Sequence, residues 1–428
     1  MLNTFLSLVT AAPDAAAMID GDSGAITTRQ ALLTRAEEHA ERMTASGLHE
    51  GDLYTLQLPN SVDFVVAFLA ALKLKLVVVP VDRDAPASEV DAIRAHFGSP
   101  GRVPRETRLI KLTSGSTGLP KGIVTTESNL IADCRNICSS MGIATSDINL
   151  GAIPFSHSYG FSNLVTPLIL QGTAVVFSND YLPQSLLDLA NRHRCTVAPL
   201  IPMVFAHLVS TAHGEFETVR TFISAGAPLP ATTSRRFRER FGIDIHSFYG
   251  CSECGGITYD RRGGAVERGT VGTPLDGVTL DADSTRLSVR SESVAAGYLL
   301  DATTFVPIER VFVTDDLAEM RDGEVVLTGR AGDLINTAGK KVNPREVEAV
   351  LLQIEGVTEA KVYGEPAGAR GEVVAAAVVA TPDVTREQVR EFCRERLSLH
   401  KVPRIVKIID AMPVDERGKI RRAALAAL

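Results

Sequence analysis

The sequence is poor in cysteine, in surplus positive charge and in repeats, and each shortage excludes a class of protein. Six cysteines in 428 residues are too few for a disulfide-built scaffold, which indicates a reducing, cytoplasmic setting. Lysine and arginine total 44 against 51 aspartates and glutamates, and the net charge of −7 gives no support to nucleic acid or a membrane surface as the main partner. No fixed-period repeat is visible, which argues against a solenoid. The length is enough for two or three domains.

Signals for secretion and for membrane insertion are also missing. The N-terminal stretch MLNTFLSLVTAAPDAAA has no basic region, since the first lysine or arginine is Arg29, so we predict an amphipathic helix rather than a signal peptide. The most apolar stretch, FVVAFLAALKLKLVVVPV (64–81), carries Lys73 and Lys75 near its middle. That pattern indicates a buried helix followed by a buried strand rather than a membrane span.

Two close pairs of cysteines have different interpretations. Cys251 and Cys254 form a CxxC, but no second CxxC or HxxxH offers the further ligands of a zinc site. Cys134 and Cys138 lie four residues apart, at the spacing of one helical face. The apolar residues that share this predicted face are Leu130, Ile131, Ile137 and Met141. We therefore predict a core-facing pair at 134 and 138 and no zinc at 251 and 254.

The pattern of predicted helices and strands divides the chain into three regions. From about 50 to 250, apolar runs alternate with helical segments, which predicts an α/β fold with sheets covered by helices on both faces. From about 270 to 330, short strands joined by turns predict a small β-rich subdomain. We predict a large N-terminal domain over 1–331 and a small, mobile α+β domain over 332–428, with GRAGDL (329–334) as the hinge. The clearest predicted strands of the first region are TRLIKL, TAVVFS, TVAPLI, RTFISAG and IDIHSFYG.

Glycine- and hydroxyl-rich motifs follow three predicted strands. TSGSTGLPKG follows RLIKL, SAGAPLP follows RTFI, and YGCSE follows IDIHSF. Ligands of open α/β sheets gather at the carboxyl ends of strands, so the three motifs predict one shared cleft. Glu253, at the end of the third motif, is suited to hold Mg²⁺ against phosphates, because a hard cation takes carboxylate and phosphate oxygens.

The first of these motifs has the composition of an anion-binding loop. Its glycines let the backbone approach an anion, and successive N–H groups form a nest, to which hydroxyls and Lys121 add donors and charge. Its spacing differs from the P-loop pattern G-x-x-x-x-G-K-[ST], because Pro120 stands where the second glycine belongs. A P-loop phosphotransferase is therefore disfavoured.

Ordered motifs over nearly the whole chain resemble those of the acyl-adenylate-forming superfamily, and most of all those of acyl- and aryl-CoA synthetases. The matching stretches are LPNSVDFVVAFLAALKLKLVVVPVD (58–82), TSGSTGLPKG (113–122), PFSHSYGFSN (154–163), SAGAPLP (224–230), YGCSE (249–253), GTVGTPLDGV (269–278), TDDL (314–317), GRAGDLINTAGKKVNPREVE (329–348) and GK (418–419). The chain is unusually short for the superfamily, because the segments 82–113 and 253–314 are trimmed.

The resemblance implies a reaction in two steps. A carboxylate attacks the α-phosphate of ATP to give acyl-AMP and pyrophosphate, and a thiol then displaces AMP. The implied cofactors are ATP, Mg²⁺ and CoA, and the implied substrate is a small carboxylic acid. The alternative acceptor is the phosphopantetheine arm of an acyl carrier protein, loaded by a free-standing adenylation enzyme. A monomer or homodimer with no nucleic-acid or membrane partner is expected, and retention of Glu253 and Lys419 argues against a non-catalytic nucleotide-binding protein.

The resemblance also assigns roles to nucleotide-binding residues. Those assigned to the β- and γ-phosphates are Thr113, Ser114, Gly115, Ser116, Thr117, Gly118 and Lys121. Those assigned to the adenine pocket are Ala225, Gly226, Ala227, Tyr249 and Gly250. Asp316 and Arg330 are assigned to the ribose, Ser252 to the α-phosphate, and Glu253 with Thr117 to Mg²⁺. Lys419 is assigned as the catalytic lysine that bridges the carboxylate and the α-phosphate.

The acid and thiol sites are less well defined. Ser156 and His157 follow Phe155, as in aryl- and fatty-acid-activating members, whereas amino-acid-activating members carry an acidic residue there. His157 is therefore assigned to the acyl site, and Gly339 to the pantetheine tunnel. The candidate acyl-pocket positions are Phe161, Met203, Cys251, Cys254 and Gly255, which indicate an apolar acid without choosing aromatic over aliphatic.

Four positions depart from the residues usual in the superfamily. Ser252 replaces threonine and keeps a hydroxyl, and Asp315 replaces glycine beside Asp316. Asn336 stands where lysine is frequent, and Gly332 stands at the hinge in place of Asp or Lys. Since glycine absorbs large backbone rotations, the predicted domain motion is retained.

Overall fold

The protein is described by a computed structural model, which covers residues 1–98, 103–113, 120–281, 286–337, 340–367, 372–413 and 425. The chain divides into two compact units. The first comprises Met1–Leu280, Ser288–Phe312 and Gly323–Val325, and the second comprises Asp281–Leu287, Val313–Asp322 and Val326–Leu428. The predicted domain boundary between residues 331 and 332 stays a prediction.

Helices and strands alternate through most of the described chain. The helices are α1 (Leu2–Ala11), α2 (Arg29–Ala45), α3 (Val62–Leu74), α4 (Ala87–Phe97), α5 (Glu127–Met141), α6 (Ser158–Gly160), α7 (Thr166–Leu170), α8 (Pro183–Arg192), α9 (Pro202–Thr211), α10 (Ala231–Phe241), α11 (Pro344–Leu351) and α12 (Arg386–Arg396). A π-helical turn, Phe161–Val165, joins α6 to α7, and 3₁₀ turns cover Ala265–Arg268 and Ala331–Asp333.

The strands up to the end of the nine-stranded sheet described below are β1 (Ala16–Asp20), β2 (Ile26–Thr28), β3 (Leu53–Leu56), β4 (Val77–Pro80), β5 (Thr107–Thr113), β6 (Lys121–Thr126), β7 (Ile148–Gly151), β8 (Ala174–Phe177), β9 (Val197–Leu200), β10 (Thr221–Ser224), β11 (Ile245–Cys251), β12 (Gly255–Tyr259) and β13 (Thr273–Pro274). The later strands are β14 (Val278–Asp281), β15 (Ser288–Ser291), β16 (Gly297–Leu299), β17 (Phe305–Pro307), β18 (Val311–Val313), β19 (Asp316–Arg321), β20 (Glu324–Arg330), β21 (Ile335–Thr337), β22 (Lys340–Val342), β23 (Val357–Pro366), β24 (Glu372–Ala380) and β25 (Ile405–Ile409).

A large, mostly parallel sheet organises the first unit. Its nine described strands lie in the order β13-β12-β11-β10-β9-β7-β8-β1-β2, and the strands from β11 to β1 run parallel. Every residue of β8, β9 and β10 is buried, as expected for parallel strands covered on both faces. The carboxyl ends of β9, β10 and β11 therefore lie at one edge of this sheet. The strands predicted at TAVVFS, TVAPLI, RTFISAG and IDIHSFYG are confirmed as β8 to β11.

A second sheet of the first unit has six described strands in the order β17-β16-β6-β5-β4-β3. β3, β4 and β5 run parallel, whereas β6, β16 and β17 continue the sheet in antiparallel pairs. β5 is the predicted strand TRLIKL, but β6 was not predicted from the sequence. β5 and β6 form a hairpin in which Thr113 pairs with Lys121, so the loop between them joins two strands rather than opening a helix.

Helix α3 shows how an uninterrupted apolar run becomes buried structure. Ser61 caps its start by accepting a hydrogen bond from the amide of Phe64, and Lys75 ends it in the left-handed conformation at φ 56°. All nine residues from 64 to 72 are buried, and the next strand, β4, is buried throughout. The predicted buried helix and strand are thus confirmed, with both lysines at the helix end, where their ammonium groups reach exposed carboxylates.

The strands between residues 270 and 330 join four separate sheets. β13 extends the nine-stranded sheet, and β16 and β17 extend the six-stranded one. β14, β15 and β18 form a small sheet of their own, and β19 pairs with β20. Three of these strands, β13, β16 and β17, therefore complete sheets that begin much earlier in the chain.

The C-terminal part of the second unit is a small α+β structure. β23 and β24 pair antiparallel, and β25 adds parallel to β24. Helices α11 and α12 contribute Val347, Leu351, Val389 and Cys393 to the core that this sheet covers. A capping box between Thr385 and Gln388 starts α12. From α11 onward the elements follow as helix, two strands, helix and strand, and the predicted α/β fold class is confirmed.

The cysteines are all free thiols. Cys134 and Cys138 are buried on α5 with their sulfur atoms 3.9 Å apart, as the helical spacing predicts. Ile131, predicted on the same face, is instead 38% exposed. In the described part of the chain, none of the helices has both the length and the apolar character needed to cross a membrane.

Candidate active site

Two of the predicted motifs leave the nine-stranded sheet at the same edge. After β10, Ala225 is buried and Gly226 adopts a left-handed φ of +86°, which favours glycine, before Ala227. After β11 comes a tight hairpin into β12, in which Gly250 is required for space: a Cβ atom there would lie 2.3 Å from the carbonyl oxygen of Gly255. Tyr249, half-buried on β11, lies next to this glycine and pairs with Thr258.

The turn between β11 and β12 carries Ser252 and Glu253. Its backbone is closed by the amide of Cys254, which donates to the carbonyl of Cys251 at 3.3 Å. A second backbone bond runs from the amide of Ala295 to the carbonyl of Glu253 at 2.8 Å. The Ser252–Glu253 turn is therefore anchored both within itself and to the segment that precedes β16.

Ser252 contacts two further segments of the first unit. Its hydroxyl oxygen lies 2.9 Å from that of Ser158, at the start of α6. Its backbone carbonyl accepts a hydrogen bond of 3.4 Å from the ammonium group of Lys111, a residue of β5 that is only 8% exposed. Since Lys111 stands two residues before Thr113, the end of β5 meets the end of β11 at this point.

Glu253 is held by a phenol. The hydroxyl of Tyr298, on β16, donates to Glu253 Oε1 at 3.0 Å. Burial, and next the negative charge of Glu253, raise the pKa of Tyr298, so the phenol stays protonated and remains a donor. This contact fixes one carboxylate oxygen of Glu253.

The thiol of Cys254, which directly follows Glu253, is not activated. Cys254 is fully buried, and its hydrogen bond with Cys251, followed by burial, raises the pKa of the Cys254 thiol well above its ordinary value. A thiol in such surroundings is a poor nucleophile and a poor metal ligand. Among the residues that the structure describes, no group of three or more His, Cys, Asp or Glu is placed to hold a metal.

His157 directly precedes Ser158 in the sequence, at the start of α6. Its Nε2 lies 3.8 Å from Asp82 Oδ2. The side-chain amide of Asn60 holds the segment before it, by accepting from the amide of Phe155 at 2.8 Å and donating to the carbonyl of Ile153 at 2.9 Å. The helix beyond continues as a π-helical turn, a feature frequent near functional sites.

Asp316 and Arg330 lie in the second unit and contact each other. Arg330 Nε lies 3.0 Å from Asp316 Oδ1, and the carboxylate is largely covered whereas the guanidinium is half exposed. The backbone amide of Asp316 donates to the hydroxyl of Thr314 at 3.1 Å, which fixes the turn before β19.

Seven of the predicted site residues lie outside the described residues: Ser114, Gly115, Ser116, Thr117, Gly118, Gly339 and Lys419. The two ends of the first loop are described. Thr113 and Lys121 pair across the β5–β6 hairpin, and the Thr113 hydroxyl donates to the carbonyl of Lys121 at 3.4 Å.

The candidate acyl-pocket positions differ in burial. Phe161 is buried and packs edge-on against Phe68 with ring centroids 4.9 Å apart, which is the environment of a core residue. Met203 is 40% exposed. Their assignment to the acyl pocket stays a prediction.

Sequence reasoning did not single out Lys111, Ser158 or Tyr298, although each contacts the Ser252–Glu253 turn. A charged residue inside an otherwise apolar strand, LIKL, was the available signal for Lys111. Ser158 and Tyr298 carry no such signal, because their importance depends on contacts between segments that lie far apart in the sequence.

Comparison with known proteins identifies the family. The sequence matches AMP-binding enzymes over residues 7–103 and 98–299, and the C-terminal domain of AMP-binding enzymes over residues 346–419. It is 26% identical over 483 aligned positions to the long-chain-fatty-acid–CoA ligase FadD13 of Mycobacterium tuberculosis, covering 97% of this chain and 96% of that protein. It is 27% identical over 481 positions to a sulfoacetate–CoA ligase of Cupriavidus necator, covering 96% and 94%. ATP-bound MatB from Rhodopseudomonas palustris has a similar structure, with a TM-score of 0.85, 24% identity, and coverage of 100% and 98%.

The chain belongs to the family of AMP-binding enzymes. This confirms the predicted superfamily and, with it, the predicted enzyme class, an ATP-dependent, AMP-forming acid–thiol ligase.

The magnesium ion that accompanies ATP in this class fits the residues present. Glu253 has one oxygen bound by Tyr298, and its second oxygen accepts no hydrogen bond from the described residues. Mg²⁺ characteristically takes one or two carboxylates together with substrate phosphates rather than an all-protein cage. A single carboxylate, with one oxygen that accepts no hydrogen bond from the described residues, on a turn that Lys111 of β5 contacts, meets that requirement.

Proposed function

We propose that the enzyme joins a small apolar carboxylic acid to CoA through an acyl-adenylate. The observation that carries this proposal is the Ser252–Glu253 turn, which three segments contact through Lys111, Ser158 and Tyr298. A turn that presents a hydroxyl and a carboxylate, next to a strand that enters a phosphate loop, suits a nucleotide whose α-phosphate is attacked.

Catalysis in this proposal is electrostatic. Negative charge builds on the oxygens of the α-phosphate as the acid's carboxylate attacks, and fixed donors and cations stabilise it. Ser252 donates its hydroxyl to the α-phosphate, and Lys419 bridges that phosphate and the attacking carboxylate. Lys121 and the loop from Thr113 to Gly118 bind the leaving pyrophosphate. Bound magnesium neutralises charge on the phosphates.

The nucleoside is assigned to the residues that the family motifs indicate. Ala225, Gly226 and Ala227 line the adenine pocket with backbone, and Tyr249 packs against the base. Asp316 accepts from the ribose hydroxyls. Its ion pair with Arg330 supports this role, because the guanidinium holds the carboxylate in its charged form and orients it.

The apolar acid is proposed from the composition around the turn and around α6. Cys251, Cys254 and Gly255 offer no charged side chain, and His157 stands between Asp82 and the start of α6. The names of the two relatives specify a long-chain fatty acid and sulfoacetate, so the family alone does not select the acid.

The proposed acceptor is CoA, and the proposed location is the cytoplasm. Both relatives compared over nearly the whole chain are named as CoA ligases, which favours CoA over a carrier protein. The six free thiols favour the reducing cytoplasm.

Acid-dependent exchange of labelled pyrophosphate into ATP tests the first step across a panel of aryl, short aliphatic and long aliphatic acids. We expect exchange with apolar acids, and thioester formation when CoA is added. Thioester formation only with a phosphopantetheinylated carrier protein would replace CoA as the acceptor. No exchange with any acid would overturn the proposed function.

A further inference from the structure

A row of three side chains on the six-stranded sheet faces the Ser252–Glu253 turn. Lys111 on β5 pairs with Ile123 on β6, and Ile123 pairs with Tyr298 on β16. Residues directly opposed in antiparallel strands point to the same face of the sheet. The two outer members of the row each bind the turn: Lys111 Nζ donates to the Ser252 carbonyl at 3.4 Å, and the Tyr298 hydroxyl donates to Glu253 Oε1 at 3.0 Å.

The middle of the row is filled by Ile123, which is fully buried. Its side chain stands between those of Lys111 and Tyr298 in the row. The row therefore has two polar ends and an apolar centre, and the spacing of the sheet sets the distance between its two hydrogen-bond donors.

Lys111 is an unfavourable residue for its position unless its charge has a use. It is 8% exposed, and within the described ranges no carboxylate lies within 4 Å of its ammonium group. A buried ammonium that is not paired with an anion lowers stability, whereas methionine would fill a similar volume without that cost. The long hydrogen bond to a carbonyl that the described residues provide does not balance the desolvation of a full charge.

Tyr298 acts on the carboxylate itself. Its phenol binds one oxygen of Glu253 and so restricts the rotation of the carboxylate, and the second oxygen is left for a cation. Hydrogen bonds from neighbouring residues orient ligating carboxylates in this way, and their loss typically lowers metal affinity or activity about 10- to 100-fold.

We propose that the Lys111–Ile123–Tyr298 row positions the Ser252–Glu253 turn for the magnesium nucleotide, with Tyr298 orienting the Glu253 carboxylate and Lys111 fixing the turn's backbone and placing a positive charge beside it. Lys111 and Tyr298 are positioning residues, since they act through Ser252 and Glu253. The inference rests on the proposed function for the identity of the nucleotide.

Equilibrium binding of ATP by the full chain, measured by calorimetry in Mg²⁺ and again in EDTA, tests the role of Tyr298 without relying on turnover. We expect Tyr298→Phe to reduce the gain in ATP affinity that Mg²⁺ provides by about 10-fold or more, with the affinity in EDTA nearly unchanged. Tyr54→Phe is the matched control: it removes a phenol from β3 of the same sheet, away from the turn, and should leave both affinities as in the wild type.

A double-mutant cycle separates positioning from a general structural effect. In a Glu253→Gln background, Tyr298→Phe should add little, because the two residues act as one unit. Equal losses from Tyr298→Phe in both backgrounds, or an unchanged magnesium dependence in the single variant, would overturn the role of Tyr298. The role of Tyr298 would also be overturned if the wild-type protein bound ATP with the same affinity in Mg²⁺ and in EDTA.

Lys111→Met tests the other end of the row. We expect an equal or higher Tm, because a buried charge is removed, together with about a tenfold or greater fall in the rate of pyrophosphate exchange. Lys111→Arg should recover part of the lost rate. A Lys111→Met variant with wild-type exchange, or one whose activity falls only because it unfolds, contradicts the inference. Absence of exchange in the wild type contradicts the proposed reaction instead, and the ATP-binding cycle then still decides the role of Tyr298.

Discussion

The hydroxyl oxygens of Ser158 and Ser252 lie 2.9 Å apart, so a residue at the start of α6 is bonded to a residue of the β11–β12 turn. Either hydroxyl can donate. If Ser158 donates to Ser252, the proton of Ser252 is free for an oxygen of the α-phosphate, and the acceptor oxygen of Ser252 is already satisfied. The contact thus orients the group proposed to bind the phosphate.

Ser158→Ala should slow adenylation without unfolding the protein. Loss of one neutral hydrogen bond corresponds to about 1 kcal/mol, so we expect kcat/KM for pyrophosphate exchange to fall by roughly tenfold or less. Ser158→Thr, which keeps a hydroxyl, should be close to the wild type. Ser162→Ala serves as a contrast in the same helical segment, because Ser162 donates to the buried carboxylate of Asp133 at 2.6 Å. That variant should lose stability rather than rate. Unaltered kinetics in Ser158→Ala would show that the contact does not orient Ser252.

Glu324 should make the first unit sensitive to acid. It is 5% exposed and binds both Arg268 and Arg262, as well as the hydroxyl of Thr270. These bonds, led by that from Arg268, lower the pKa of Glu324 from its ordinary 4.5 to about 2. The folded state therefore holds the charged form more strongly than the unfolded state does. The resulting stabilisation is present above pH 4.5 and is lost as the pH falls from 4.5 toward 2.

Glu324→Gln is the variant that checks this dependence. Its urea midpoint at pH 7 should be lower than that of the wild type, and the difference should shrink between pH 4.5 and pH 3. Glu37→Gln removes an exposed partner of Lys73 and should change the midpoint little at any pH, as surface ion pairs contribute about 0 to 1 kcal/mol. A constant difference between Glu324→Gln and the wild type at all pH values would contradict the pKa argument.

The local backbone conformation does not require glycine at position 332. A Cβ atom at this position would meet nothing within 4 Å, and φ lies outside the left-handed region. Gly332→Ala should therefore change stability by less than about 1 kcal/mol. Gly332→Pro, which fixes φ, should slow thioester formation from acyl-AMP more than it slows adenylation if this residue is the hinge. Separate assays of the two half-reactions measure the effect, and equal loss in both would remove the hinge assignment.

Elements that are set by neighbouring residues could be predicted from the sequence, whereas contacts between segments far apart in the sequence could not. The run 64–81 predicts α3 and β4 because nearly all of its consecutive residues are apolar and therefore favour burial. Strand β6 was missed because KGIVTT has no apolar residue beyond Ile123 and Val124, and because its partners, β5 and β16, are set by pairing across the sheet. The contacts of Tyr298 and Ser158 with the turn could not be predicted, since they require the placement of β16 and of α6 against the β11–β12 turn to be known. Ser252 and Glu253 could be named only through the resemblance of YGCSE to a family motif.

Substitution of Lys419 should separate the two half-reactions, because it should slow adenylation far more than thioester formation. Lys419 lies outside the described residues, and its role rests on the resemblance of GK (418–419) to the superfamily's C-terminal motif. A cation that bridges the attacking carboxylate and the α-phosphate acts only while that bond forms. Lys419→Ala should therefore lower the rate of adenylation by about 100- to 1000-fold, yet leave thioester formation from supplied acyl-AMP within a few-fold of the wild type. Lys361→Ala, which removes a lysine paired with Glu348 at 2.9 Å, controls for the loss of charge and should affect neither half-reaction strongly. Normal adenylation by Lys419→Ala would show that another group supplies the charge, and loss of both half-reactions would assign the lysine to nucleotide binding instead.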